Sequence, residues 1–220
     1  MENFSEPMGL LIDNTKCIGC RACQTACKQW NNLPAEKTTF FGGEGYQNPK
    51  DLSGSTYTLI KFHEIIENNK IKDWGFWKKQ CRHCIDPACV AACPVPGVLE
   101  KKTYGPVAWD DTKCLGCPLC KEACPFNIPR FTTDINPKIR KCNMCNDRLE
   151  EGLEPACVKA CPTGATIFGK REELLKIAEK RLQEEPDKYF KYIYGKDDLD
   201  TSVLYISCFD LEKIKGYPKD

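Results

Sequence analysis

No apolar run in this chain approaches the roughly 20 residues a bilayer crossing needs, so a membrane-spanning helix is not expected. The glycine-rich fingerprint of dinucleotide sites and the Walker loop of nucleotide sites are both missing. The first residues, Met1 to Leu11, carry two Glu, no basic cluster and no apolar core of signal-peptide length, which argues against an exported scaffold. Charge of one sign is missing too: 32 Lys and Arg interleave with 31 Asp and Glu, for a formal net charge of +1. No basic patch is left for nucleic acid. With two histidines and no nucleophile–base pair, the chain has no catalytic residue to offer.

What it has is cysteine. Seventeen of 220 residues are Cys, roughly 8% and close to the level of a cross-linked scaffold. Disulfide frameworks belong to short secreted chains. Here the cysteines crowd into groups two or three residues apart, and such close neighbours rarely pair with each other. Metal is the better reading.

The cysteines repeat in register. Segment 13–27 reads DNTKCIGCRACQTAC and segment 110–124 reads DDTKCLGCPLCKEAC, a first motif type. Segments 86–94 (DPACVAACP) and 154–162 (EPACVKACP) form a second type, each preceded by a C-x2-C pair, Cys81/Cys84 and Cys142/Cys145. The two types alternate along the chain.

Short apolar runs flank the motifs: Gly9–Asp13 and Pro106–Asp110 before the first type, Gly97–Lys101 and Ala165–Gly169 after the second. All four read as strands. Val98–Lys101 and Val107–Asp110, joined by Thr103-Tyr104-Gly105, carry a β-hairpin signal. By elimination Leu10–Asp13 should pair with Ala165–Phe168. The expected fold is α+β, two nested ferredoxin-like modules with short strands, a long insertion and a C-terminal amphipathic helix. Residues 1–30 and 138–170 would make the outer module, 31–78 the insertion, 79–137 the inner module and 171–220 the C-terminal extension. Within the insertion, Gly42-Gly43 and Asn48-Pro49 mark turns and Ser55–Phe62 reads as a strand. Residues 170–183 should form a helix with Leu174, Leu175, Ile177, Ala178 and Leu182 on one face, ended by Pro186. Val203–Cys208 reads as a last strand.

A cubane [4Fe–4S] cluster takes three thiolates from a C-x2-C-x2-C loop, and the next cysteine, four residues on, serves the other cluster of a pair. Both motifs of the first type fit. Pro125 supplies the usual Cys-Pro ending, and Lys28 stands in its place after Cys27. The second type has a longer middle gap. Exchanging fourth ligands within each nested module assigns Cys17, Cys20, Cys23 and Cys161 to cluster one. Cluster two takes Cys27, Cys142, Cys145 and Cys157. Cluster three takes Cys81, Cys84, Cys89 and Cys124, and cluster four takes Cys93, Cys114, Cys117 and Cys120. Four oxidised clusters would bring the net charge to roughly −7. Structural zinc also uses C-x2-C pairs, but as separated pairs without this triplet and its proline. Four relays and no catalytic group describe an electron carrier.

Other residues carry weaker signals. Lys16, Lys113 and Lys141 each precede a first ligand and could favour reduced clusters, though a loop lysine is more simply solvated. His83, inside CRHC, reads either as a donor to a sulfide or as an exposed imidazole. His63 reads as structural. Cys208, without a cysteine neighbour, reads as a buried free thiol. Trp30, Trp74, Trp77 and Trp109 read mostly as core.

The four-motif pattern resembles the electron-transfer β subunits of molybdopterin enzymes over most of the chain. The segments CKQWNNLPAE (27–36), QNPKDLS (47–53), QCRHC (80–84), KCNMCNDR (141–148) and PACVKACPTG (155–164) resemble the formate dehydrogenase β subunit, particularly its soluble form. The resemblance implies a large catalytic partner holding a bis-pterin molybdenum or tungsten centre that oxidises formate or reduces carbon dioxide. Electrons would enter at cluster one and pass through clusters two, three and four. Some relatives replace the second ligand of the fourth motif and hold a three-iron cluster there; Cys117 keeps a full cubane here. The transmembrane helix of membrane-bound relatives is not seen, which favours a soluble acceptor such as a cytochrome, a ferredoxin or a further redox subunit. Either the cytoplasm or the periplasm, reached by co-export with the catalytic subunit, fits such a protein. FGKREEL (168–174) is reminiscent of hydrogenase-linked β subunits. Polysulfide or arsenate reductases use the same module, and a free polyferredoxin is the reading from another class.

Overall fold

Strand β1 (Met8–Asp13) is buried along its whole length, as a near-continuous apolar run predicts for a strand covered on both faces. It is the centre of the computed structural model, which describes Phe4, residues 6–39 and residues 46–213. The turn expected at Gly42-Gly43 lies outside the described residues.

From β1 the chain enters the first cysteine loop and helix α1 (Ala22–Trp30). A long hairpin follows, β2 (Leu59–Glu67) with β3 (Lys70–Lys79), paired from Leu59↔Lys79 to Glu67↔Lys70. Its turn is Asn68-Asn69, both at positive φ (51° and 58°), the conformation that suits a tight hairpin. The strand expected at Ser55–Phe62 therefore starts later and runs further, because Ser53 and Thr56 instead close a small bridge of their own. Next come the short helix α2 (Ala88–Ala91), the hairpin β4 (Leu99–Lys101) and β5 (Val107–Trp109), and helix α3 (Leu119–Glu122). A minimal pair, β6 (Arg130–Phe131) and β7 (Ile139–Arg140), precedes helices α4 (Asn146–Glu150) and α5 (Ala156–Lys159). The chain then forms β8 (Thr166–Lys170), helix α6 (Arg171–Glu184) and β9 (Val203–Ile206).

β8 lies antiparallel to β1, Ile12 opposite Thr166. β9 lies parallel on the other edge, Leu10 opposite Val203. The resulting three-stranded sheet, β8-β1-β9, is covered by α6 through Leu174 and Ala178, which pack on Leu11, Leu204 and Ile206. Ile177 does not share that buried face and is 37% exposed. The helix ends at Glu184, two residues before Pro186.

The two copies of the first motif differ after their last cysteine. Pro125 follows Cys124 and α3 has four residues; Lys28 follows Cys27 and α1 has nine. A proline cannot donate within a helix, so its absence lets α1 continue. Among the described residues no helix is long and apolar enough to cross a membrane.

Candidate metal centres

In all four motifs the first cysteine of the C-x2-C pair is followed two residues later by a residue at positive φ: Gly19 (66°), His83 (51°), Gly116 (74°) and Met144 (59°). That turn aims a backbone N–H back at the sulfur. His83 N–H donates to the Cys81 sulfur at 3.5 Å, Gly116 to Cys114 at 3.4 Å and Met144 to Cys142 at 3.4 Å. Gly19 does the same to Cys17. Positive φ suits glycine, and in the first motif type a side chain is also sterically barred: a Cβ at Gly116 would sit 2.5 Å from the Pro137 carbonyl oxygen. The two second-type loops bear the same conformation with His83 and Met144, both buried.

The loops bring the sixteen motif cysteines together in four groups. Cys17, Cys20, Cys23 and Cys161 line one cavity together with Ile12, Ile60 and Lys78. Cys27, Cys142, Cys145 and Cys157 line a second, with Leu10, Tyr57 and Gln80. Cys81 and Cys124 pack with Leu52, Leu59 and Phe126, and Cys84 and Cys89 face them. Cys93, Cys114, Cys117 and Cys120 surround a fourth space with Val98, Leu99 and Ile139. Among the described residues no three of His, Cys, Asp and Glu converge closely enough for a single ion. Tetrahedral zinc, with Zn–S bonds of about 2.3 Å, draws its sulfurs to one point. Here thiols line a space between them, and they are the metal-binding donors in a largely apolar wall. That fits a multi-iron cluster whose corners each take one thiolate.

Burial raises most of these thiols. It pushes Cys84 and Cys89 up to about 12, with Cys81 adding to the effect. Cys23, Cys120 and Cys145 rise to about 11 for the same reason. Left alone these groups stay protonated at neutral pH, so a metal centre must displace the protons as it binds. Cys161 goes the other way. Partial burial opposes ionisation there, but the amides of Thr166, Thr163 and Ala165 and the Thr163 hydroxyl outweigh it and lower the pKa.

The second and third groups adjoin through Cys142 and Cys81. The end groups reach the surface: Cys20 is exposed beside Ile18, and half-buried Cys117 lies beside Leu115, which is 73% exposed.

Three side chains read differently in the structure. His83 is fully buried, not exposed; its Nδ1 accepts from the Val107 N–H at 2.9 Å. Burial, then Lys141 and Lys101, push its pKa well below the ordinary value. Lys141 is buried, donating to the Cys142 carbonyl at 3.1 Å, while Lys113 is exposed and Lys16 half-buried. Cys208 is exposed, because β9 ends at Ile206 and the chain turns outward. Of the tryptophans only Trp77 is fully buried; Trp30 is 42% exposed and donates to Asp147 at 2.8 Å. Missed altogether was Lys78, a buried lysine on the first cavity's wall. Only its place opposite Ile60 in an unrecognised hairpin could have revealed it.

Residues 72–171 match a family of 4Fe–4S dicluster domains. The chain is 38% identical over 225 aligned positions to the nitrate-inducible formate dehydrogenase iron–sulfur subunit of Escherichia coli K12, covering all of this chain and 75% of that one. It is 41% identical over 221 positions to formate dehydrogenase 2 subunit beta (cytochrome c-553) of Nitratidesulfovibrio vulgaris, covering 96% of this chain and 98% of that one. It is also 37% identical over 209 positions to the hydrogenase-2 operon protein HybA of Escherichia coli O157:H7, covering 90% and 62%.

Proposed function

The chain belongs to the family of formate dehydrogenase iron–sulfur subunits, and from that membership we propose that it carries electrons for a formate dehydrogenase through four [4Fe–4S] clusters. The ligand sets are Cys17, Cys20, Cys23 and Cys161; Cys27, Cys142, Cys145 and Cys157; Cys81, Cys84, Cys89 and Cys124; and Cys93, Cys114, Cys117 and Cys120. What supports this reading is that the sixteen motif thiols fall into four neighbouring groups in largely apolar surroundings. Each cluster, when bound, supplies a one-electron store. The chain's own part is to hold these stores in a row, keep water from the inner two, and set the charge around each.

The outer pair, clusters one and two, is framed by residues 1–30 and 138–170, with β1 against β8; the inner pair by residues 79–137, with β4 against β5. The proposed partner is a large catalytic subunit with a bis-pterin molybdenum or tungsten centre, docking near the exposed Cys20 end. The proposed acceptor, at the Cys117 end, is a soluble cytochrome. The near-complete overlap with the Nitratidesulfovibrio vulgaris subunit, whose name carries cytochrome c-553, supports that choice.

Anaerobic purification with whatever large subunit accompanies the chain tests the proposal. About 16 irons per chain, with molybdenum or tungsten in the partner and formate-dependent viologen reduction, is the expected result. A colourless protein with stoichiometric zinc would overturn it. The similarity to HybA supports a second reading, service to a hydrogenase, and hydrogen-dependent viologen reduction by the same preparation would favour that one.

A further inference from the structure

Among the described residues three lysines are nearly sealed from solvent: Lys78, Lys79 and Lys141. Two have oxygen partners. Lys79 pairs with Asp51 at 2.8 Å, and Lys141 donates to the Val107 and Cys142 carbonyls. The Lys78 ammonium finds no such hydrogen-bond partner among the described residues. A buried, uncompensated charge is costly, so something in the working protein must balance it.

The fold says what lies around it. Lys78 stands opposite Ile60 in the β2–β3 hairpin, and directly opposed residues share a face of the sheet. Ile60 packs with Cys23, of the first group, and with Cys157, of the second. Lys78 itself lines the first cavity, and the Tyr205 hydroxyl donates to its carbonyl at 2.9 Å, fixing the strand at that point. The sulfurs of Cys157 and Cys23 are the groups beside the Lys78 ammonium.

We propose that Lys78 is the shared counter-charge of the first two clusters, raising the reduction potentials of both and offsetting the repulsion between them. The inference rests on the four-cluster reading above. An oxidised cluster with its thiolates carries about −2 and takes one electron to reach about −3. A fixed positive charge nearby favours the more negative state, and does so strongly in a low-dielectric interior. One electron enters, Lys78 stays protonated, and no bond is made or broken. Lys78 is a positioning residue: it touches the ligands and acts through their charge.

The test is a potentiometric titration of the anaerobic complex followed by electron paramagnetic resonance, comparing Lys78→Met, Lys78→Gln and Lys78→Arg with the natural chain. At a fixed poise the reduced-to-oxidised ratio of two of the four clusters should fall at least tenfold in Lys78→Met, equivalent to about 59 mV for a one-electron couple. Lys78→Arg should restore it. Iron content separates the two claims. A natural chain without its clusters refutes the four-cluster reading, whereas loaded Met and Gln variants with unchanged potentials refute only the role of Lys78. If the neutral variants lose the first two clusters and keep the others, recovery in Lys78→Arg supports the counter-charge. Loss that arginine does not repair overturns it.

Discussion

The Arg181 guanidinium donates to the Asp13 carboxylate at 2.9 Å, joining the end of β1 to helix α6 across 168 residues of sequence. Asp13 is completely buried and also accepts the Tyr189 hydroxyl at 2.8 Å and the Thr15 N–H at 3.0 Å. That places the first cysteine loop, which starts at Cys17, on a charged anchor. Asp110 holds the same place in the other copy of the motif, accepting the Thr112 N–H at 2.9 Å, but at the surface and without an arginine.

The repeat thus predicts unequal effects. Asp13→Asn leaves the partly exposed Arg181 guanidinium facing a neutral amide and should cost about 2 kcal/mol. Asp110→Asn should leave stability within error of the natural chain. Anaerobic denaturant unfolding of the loaded protein checks both, and equal losses would show that the buried pair is not what distinguishes the two copies.

Acid should loosen the insertion first. The Glu36 carboxylate accepts the Ser53 hydroxyl at 2.5 Å, the Ser55 hydroxyl at 2.8 Å and the Thr56 hydroxyl, with Lys28 3.6 Å away. Partial burial works against its ionisation, but these donors outweigh that and hold its pKa below the usual carboxylate value. A depressed folded-state pKa means that the stabilisation is complete above the unfolded value of about 4.3. It is lost as pH falls through the lower folded value. The protection of the amides in residues 33–38, corrected for intrinsic exchange, should therefore fall on acidification below about pH 4.3 in the natural chain. In Glu36→Gln the protection should already be low at neutral pH and change little on acidification.

Much of this fold could be read from particular residues. The runs ending at Asp13 and starting at Thr166, which flank the first and last cysteine motifs, pair as their positions suggested. The hairpin of Leu99 and Trp109 was visible in its turn residues. β3 was not, because its first half, Lys70 to Asp73, is exposed and polar, and its burial begins only near Gly75. The parallel seat of β9 beside β1 was equally hidden, since a four-residue apolar strand does not name its neighbour. At the site, spacing told which cysteines belong together in a loop but nothing about the charges behind them. Lys78 and His83 become interpretable only when distant strands close over them. Positive φ at Gly19 and Gly116 was written in the glycines; the same backbone at His83 and Met144 was not.

The seventeenth cysteine offers a direct count. Cys208 is the one cysteine outside the four groups, and it is exposed. Partial burial pushes its pKa up, so the reactive thiolate is scarce at neutral pH and grows as pH rises. Iodoacetamide added anaerobically to the loaded protein should give a single adduct, faster at pH 9 than at pH 7, and none in Cys208→Ser. Iron content should be unchanged in that variant. Several adducts on loaded protein would mean that motif thiols are free.

Exchange of the fourth ligand makes the sharpest prediction about the outer pair. Cys157 and Cys161 are four residues apart on and just after helix α5, yet they face different cavities: Cys157 lies with Cys27 and Cys145, Cys161 with Cys17 and Cys20. Cys157 lies within α5 and Cys161 beyond its C-cap Ala160, where the chain has left the helix, so the two thiols reach different sites. Cys161→Ser should therefore alter or empty the first cluster while the second keeps its spectrum, and Cys157→Ser should do the reverse. Complete loss of one cluster removes about four irons per chain. Cys161 is also the ligand whose thiolate the surrounding amides already favour, so the serine, a weaker ligand, forfeits that advantage at the cluster nearest the proposed entry point. Paramagnetic resonance after dithionite reduction, with iron analysis on the same samples, distinguishes the two variants. If both disturb the same cluster, the cysteines do not cross between sites and the nested arrangement of ligands is wrong.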